Sequence, residues 1–209
     1  MELQGLYVIV DPEQTRGRDP VAIANAAIRG GAGIIQYRDK LHDKGDQLPV
    51  IERLLALCRR ARVPLLVNDH ADLALAVGAD GVHVGQHDLP PAVVRRLLGP
   101  AAIVGCSTNN ADEARAAAAW SSYIAVGRLF PTQSKSNTRP ATLDTLGSVR
   151  AAVALPVVGI GGITAANVEQ VIEAGADAAA VIAAVCAADD VEAAARAISS
   201  RFAHAGARR

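Results

Sequence analysis

The stretch Leu65–Asp88, LLVNDHADLALAVGADGVHVGQHD, carries two short apolar runs around an Ala/Leu-rich helical segment. The first run, Leu65–Val67, leads into Asn68 and Asp69; the second, Gly81–Gly85, leads into Gln86 and Asp88. Apolar runs this short, bounded by turn residues, read as buried strands. If they are parallel neighbours, both polar ends emerge at one edge of the sheet. Two carboxylates meeting there suggest a divalent-cation site.

The same strand–helix unit recurs on both sides of this stretch. Upstream, Gly5–Asp11 reads as a strand, Pro12–Asp19 as a polar turn and Val21–Arg29, led by Pro20, as a helix closed by Gly30-Gly31. Strand Ile34–Arg38 and an amphipathic helix over 46–62 follow. Helix Ala71–Val77 fills the gap in the quoted stretch. Downstream come helix Pro91–Leu98, strand Ile103–Ser107, helix Ala111–Trp120, strand Tyr123–Gly127, the polar loop Arg128–Pro140 and helix Leu143–Ala152. Strand Val157–Gly161, helix Ala165–Ala174, strand Ala179–Ala183 and helix Val191–Phe202 complete the series, with Ala203–Arg209 expected to fray. The phrases GGAGI (Gly30–Ile34), GADGV (Gly78–Val82) and GADAA (Gly175–Ala179) each end a helix and feed a strand. Eight uninterrupted units predict an α/β fold of the (β/α)8 TIM-barrel class, in one domain over 1–209. A doubly wound open sheet is the alternative; it needs a glycine-rich turn after the first strand, where Asp11-Pro12 stands.

Composition narrows the function. The 209 residues are 51% hydrophobic and only 3% aromatic. That mixture suits Ala-rich helices over a Val/Ile-rich sheet. Lys+Arg and Asp+Glu each number 21, so there is no global basic field to hold nucleic acid. No segment has the length of a membrane span and the N-terminus lacks the pattern of a secretory signal, so a cytoplasmic location is expected. Cys58, Cys106 and Cys186 fit no zinc or redox spacing and read as small buried residues. The sequence does not give the oligomeric state.

In such a barrel the site lies at the C-terminal strand ends. Strand two offers Gln36, Arg38 and Lys40, spaced by two and therefore on one side, a possible clamp for pyrophosphate. The strands of the quoted stretch offer Asn68, Asp69 and Asp88, hard oxygen donors suited to Mg2+ together with phosphate oxygens; helix capping is the plain alternative for both aspartates. His83 lies inside a strand and reads as a core or barrel-interior histidine. Strand five ends in Ser107, a phosphate contact or a helix cap. The long loop after strand six holds Thr132, Gln133, Ser134 and Lys135. Gly161-Gly162 expose backbone N–H groups at a helix start, and strand eight ends in Val181-Ile182-Ala183; the loops after strands seven and eight are the usual phosphate position of this fold. The sequence therefore offers two anion sites, one metal-assisted near strands two to four and one made of backbone near strands seven and eight. They fit small phosphorylated substrates, with pyrophosphate as a leaving group.

The set Gln36-Tyr-Arg-Asp-Lys40, Asn68-Asp69, Gly85-Gln-His-Asp88, Gly105-Cys-Ser107, Phe130-Pro-Thr-Gln-Ser-Lys135, Ile160-Gly-Gly-Ile163 and Val181-Ile-Ala-Ala184 resembles the thiamine-phosphate synthase family over nearly the whole chain. The resemblance implies a Mg2+-dependent transferase. It would join hydroxymethylpyrimidine pyrophosphate to hydroxyethylthiazole phosphate through a dissociative substitution. It implies that Gln36, Tyr37, Arg38, Asp39, Lys40, Asn68, Ser107 and Lys135 hold the pyrimidine pyrophosphate. Lys135, Ser107 and Arg38 would be catalytic, and Asp69 and Asp88 would bind Mg2+. Thr132, Gln133, Ser134, Gly162, Ile182 and Ala183 would hold the thiazole phosphate. Three positions depart from the family: Ser134 stands for the usual Thr, Ala183 for a frequent Ser, and Asn109 for a frequent His. The competing readings are a thiazole tautomerase, another barrel isomerase and a non-catalytic phosphometabolite sensor.

Overall fold

The structure, a computed structural model, describes residues 3–132 and 139–206. Strands β1 (Gly5–Val10), β2 (Ala32–Tyr37), β3 (Leu65–Asn68), β4 (Gly81–Val84), β5 (Ile103–Thr108), β6 (Tyr123–Val126), β7 (Val157–Ile160) and β8 (Ala178–Val181) run parallel. Each pairs with its neighbour in chain order, and β8 closes on β1. This is the expected (β/α)8 barrel. Helices α1 (Pro20–Arg29), α2 (Lys44–Ala61), α3 (Ala71–Val77), α4 (Pro91–Leu98), α5 (Ala111–Ala118), α6 (Leu143–Ala152), α7 (Val168–Glu173), α8 (Ala183–Cys186) and α9 (Val191–Gly206) follow their strands. No helix among the described residues is long and apolar enough to cross a membrane.

Strand alternation separates two cores. Residues such as Val8, Val10, Ile35, Val67, Val82, Val104, Ile124 and Val157 face the helices and join their apolar stripes. Tyr7, Ile9, Ile34, Leu66, Tyr123, Ala125, Val158, Ala178 and Ala180 fill the barrel interior. A fully buried Leu or Ile in either layer contributes on the order of 2 kcal/mol. The repeated Gly-Ala-Asp phrase has a polar purpose at the strand starts. Asp80 accepts a hydrogen bond from the Leu65 N–H and Asp177 one from the Val157 N–H, each 2.8 Å long. The phrase thus ties the start of one strand to the turn feeding the next.

Several boundaries differ from expectation near the C-terminus. Helix α7 starts at Val168 rather than Ala165, because Thr164–Asn167 form a side-chain-bonded turn in which Asn167 accepts from the Thr164 N–H. Strand β8 stops at Val181, and the residues after it form the short helix α8, which the sequence reading lacked. Helix α9 extends to Gly206, into the stretch expected to fray. The three cysteines are buried and free, as expected; burial raises the thiol pKa of Cys106 to about 11 and of Cys58 to about 12.

Candidate active site

A cavity of about 730 Å3 opens at the C-terminal ends of the strands. Its wall brings together Arg38, Lys40, Asn68, Asp69, Asp88, Ser107, Thr132, Gly162, Ile182 and Ala183 from seven strand ends and their loops. Gln133, Ser134 and Lys135 lie outside the described residues.

The end of β2 shows alternation at work. Arg38 and Lys40 line the cavity, and Gln36 sits below them, 1% exposed, in the barrel interior. Tyr37 and Asp39 face the other way. Tyr37 joins the core between sheet and helices, and its hydroxyl donates to Asp39 at 2.7 Å. Asp39 also accepts from the N–H groups of Leu41 and His42 and pairs with the His42 ring. Burial alone would raise its carboxyl pKa, but these four bonds outweigh that and hold it below the ordinary carboxylate range. Neither Tyr37 nor Asp39, both expected among the substrate contacts, lines the cavity. They shape the turn that carries Lys40.

Arg38 is held by Asp11, a carboxylate with no exposed surface at the end of β1. The sequence reading passed over Asp11. Its one local signal, capping of the Glu13 N–H, marks a turn rather than a site. Lys40 bonds the Asp69 carboxylate at 2.7 Å. Asp69 adopts a left-handed backbone, φ 61°, and its N–H donates to the His83 carbonyl. That bond ties the β3 exit to β4. Asp88 turns back onto the Gly85 N–H at 2.8 Å. Neither aspartate caps a helix: α3 begins after His70 and α4 after Pro90.

The two carboxylates interact directly. Burial would raise the pKa of Asp69, but the bond from Lys40 helps hold it low. Asp88 is raised by burial and by the neighbouring Asp69. Two half-buried carboxylates this close cannot both ionise freely, and a cation beside them would relieve their repulsion. Among the described residues no group of three or more His, Cys, Asp or Glu side chains converges. The pair therefore leaves most of a coordination shell to water and ligand oxygens. That is the habit of Mg2+ rather than of zinc.

Ser107 is not a helix cap either; Asn110 caps α5. Its Oγ lies 2.9 Å from His83 Nε2, and His83 Nδ1 lies 2.9 Å from the Tyr123 hydroxyl. Tyr123 meets the Tyr7 hydroxyl at 2.9 Å, and Gln36 Nε2 donates to Tyr7. A hydrogen-bonded chain thus crosses the barrel from β2 to β5. Gly105 makes room for it. A Cβ there would stand 2.1 Å from the Tyr123 ring. His83 is interior, as expected, yet it also lines the cavity.

On the opposite side, Gly161 and Gly162 abut the loop after β6. A Cβ on Gly161 would lie 2.4 Å from that of Arg128, and one on Gly162 would lie 2.6 Å from the Pro131 carbonyl. The glycines are therefore a seat for this loop, and α7 begins only six residues beyond Gly162. The feet of the loop are pinned: Arg128 N–H bonds the Arg139 carbonyl and Ala141 N–H bonds the Arg128 carbonyl. Asn109 adds bonds from its amide to the carbonyls of Gly127 and Arg139, both 3.0 Å. Arg139 makes two 2.8 Å bonds to Glu113. Asn109 entered the sequence reading only as a departure from the family, and Glu113 not at all; Arg139, the partner they share across the loop, is distant in sequence.

Known proteins share this chain's sequence and fold. A sequence model of the thiamine monophosphate synthase family matches residues 6–185. The chain is 48% identical to a thiamine-phosphate synthase of Chloroflexus aurantiacus, over 91% of this chain and 89% of that one. It is 45% identical to that of Methanoculleus marisnigri, over 97% of each. Among solved structures it resembles a thiamine phosphate pyrophosphorylase from Pyrococcus furiosus, with a TM-score of 0.89, 33% identity and 98% of each chain covered. A 3-hexulose-6-phosphate synthase, at TM-score 0.67 and 20% identity, shares the fold alone.

Proposed function

This chain belongs to the thiamine monophosphate synthase family and is a transferase, and on that premise we propose how its residues divide the work. The reaction joins a hydroxymethylpyrimidine pyrophosphate to a hydroxyethylthiazole phosphate. The bond between the pyrimidine methylene carbon and its pyrophosphate oxygen breaks, and the electron pair leaves with pyrophosphate. The thiazole nitrogen then donates its lone pair to the methylene carbon. Substitution through a cation needs a stabilised leaving group and a dry, oriented nucleophile more than it needs a base.

The observation that carries this reading is the meeting of Arg38 and Lys40 with Asp69 and Asp88 on one wall of a single cavity. Arg38, held by Asp11, offers a fixed fork to the pyrophosphate. Asp69 and Asp88 would hold Mg2+, which supplies charge neutralisation to the departing oxygens when bound. Asn68 and Ser107 would add hydrogen bonds, and Lys135 a further positive charge. Gly162 and the backbone at Ile182 and Ala183 would receive the thiazole phosphate, with the hydroxyls of Thr132 and Ser134. Gln36 would lie beneath the pyrimidine. The tautomerase reading is weakened by Asn109, whose amide is committed to loop carbonyls and cannot act as a base.

The test is to mix the two phosphorylated half-substrates with Mg2+ and follow thiamine phosphate and pyrophosphate together. Equimolar release is expected; no product would overturn the reading.

A further inference from the structure

The chain Gln36–Tyr7–Tyr123–His83–Ser107 can run in a single direction. Gln36 Nε2 donates to the Tyr7 oxygen. The Tyr7 proton is then available to Tyr123, and that of Tyr123 to His83 Nδ1, at distances that suit either donor. An imidazole that accepts at Nδ1 carries its proton on Nε2 and donates it to Ser107 Oγ. The Ser107 hydroxyl proton is left to point into the cavity. A His83 with its proton on Nδ1 would instead take the serine proton at Nε2. Ser107 would then offer only lone pairs to a pyrophosphate that itself has only acceptors.

The surroundings hold the members of the chain in place. Burial raises both tyrosine pKa values, so the two hydroxyls stay protonated. The His83 and Tyr123 rings stack with centroids 5.6 Å apart, and Tyr7 meets Tyr123 edge to face. Each ring is thereby fixed in the orientation its hydrogen bond needs.

We propose that this chain sets the polarity of Ser107, so that His83, Tyr123 and Tyr7 are positioning residues that make the serine a donor to the leaving group. The proposal rests on the pyrophosphate reading of the cavity. It adds that the amide at the barrel floor and the hydroxyl at the leaving group form one directed unit.

Two measurements test it. Nitrogen NMR of histidine-labelled protein, without substrate, reads the tautomer of His83. The Nε2–H form is expected in the wild type, with that preference lost in Tyr123→Phe. The second is a double-mutant cycle. Tyr123→Phe is expected to lower kcat about tenfold, the worth of one well-placed hydrogen bond. In a Ser107→Ala background the same change should have almost no effect, which a merely structural role would not give. Tyr7→Phe is the second variant if Tyr123→Phe folds poorly, and the same pattern is expected of it. An Nδ1–H tautomer in the wild type, or additive effects in the cycle, would overturn the proposal. If the wild type makes no thiamine phosphate, the proposed residue roles fall, while the NMR result still decides the direction of the chain.

Discussion

The Lys40 ammonium lies 2.7 Å from the Asp69 carboxylate. A cation of the chain itself thus rests on one of the two acidic groups proposed to bind Mg2+. The acidic pair is therefore already arranged for positive charge.

Asp69→Asn and Asp88→Asn are each expected to cut Mg2+-dependent turnover by about a hundredfold or more, in line with loss of a metal contact. The fold should survive. Asn tolerates the left-handed backbone at position 69. Steady-state rates across a Mg2+ titration, with circular dichroism beside them, make the check. Full activity in both variants would remove these residues from the metal site.

Asp11→Ala should cost about 3 kcal/mol of stability, because it strips a buried ion pair of one partner and leaves Arg38 uncompensated. Denaturant unfolding measures this. The KM for the pyrophosphate substrate should rise as well, since Arg38 loses its anchor. Wild-type stability in Asp11→Ala would mean that Arg38 finds water instead.

Asp39 gives a pH dependence of stability. Its folded pKa is depressed, so its contribution is fully present above the ordinary carboxylate value of about 3.9 and is lost as pH falls through the lower folded value. Carboxyl carbon NMR should place its titration below about 3.9. Asp39→Asn should flatten the acid limb of the stability curve. A titration at or above the ordinary value would show that the four hydrogen bonds do not outweigh burial.

Gly162→Ala puts a methyl group within 2.6 Å of the Pro131 carbonyl, at a backbone φ of 63°. The strain should cost about 2 kcal/mol, and the loop after β6 must move off its seat. We expect kcat to fall together with stability, measured by turnover and thermal melting. A variant as active and as stable as wild type would show that the loop has room to shift.

Lys135→Ala is expected to lower kcat strongly while changing KM little, as for a group that acts mainly on the departing pyrophosphate. Initial rates over a range of both substrates separate the two constants. A rise in KM alone would reduce Lys135 to a binding contact.

Much of the fold was legible because most strands are short runs of Val, Ile and Leu and several helices open or close with local signals. Asp19 caps α1 and Thr142 caps α6, both readable from neighbours. Helix α8 was not legible. Ala183–Cys186 continues the apolar run of β8, and so short a run gives periodicity nothing to distinguish. The site divides in the same way. Arg38 and Lys40 follow from a spacing of two, and the two aspartates from their strand ends. Tyr37 and Asp39 entered the expected set only through the family motif, although that same spacing turns them outward. Asp11 and His83 act through partners on other strands, at pairings that only the closed barrel creates.

The empty place at Gly105, which admits the Tyr123 ring, has a consequence for how this sequence can change over time. A side chain at position 105 cannot arrive while a tyrosine stands at 123, and a smaller residue at 123 would open a void beneath the serine. The constraint runs one way: position 123 can change while 105 stays glycine, but not the reverse. In related chains a side chain at 105 should appear only where a residue smaller than tyrosine stands at 123.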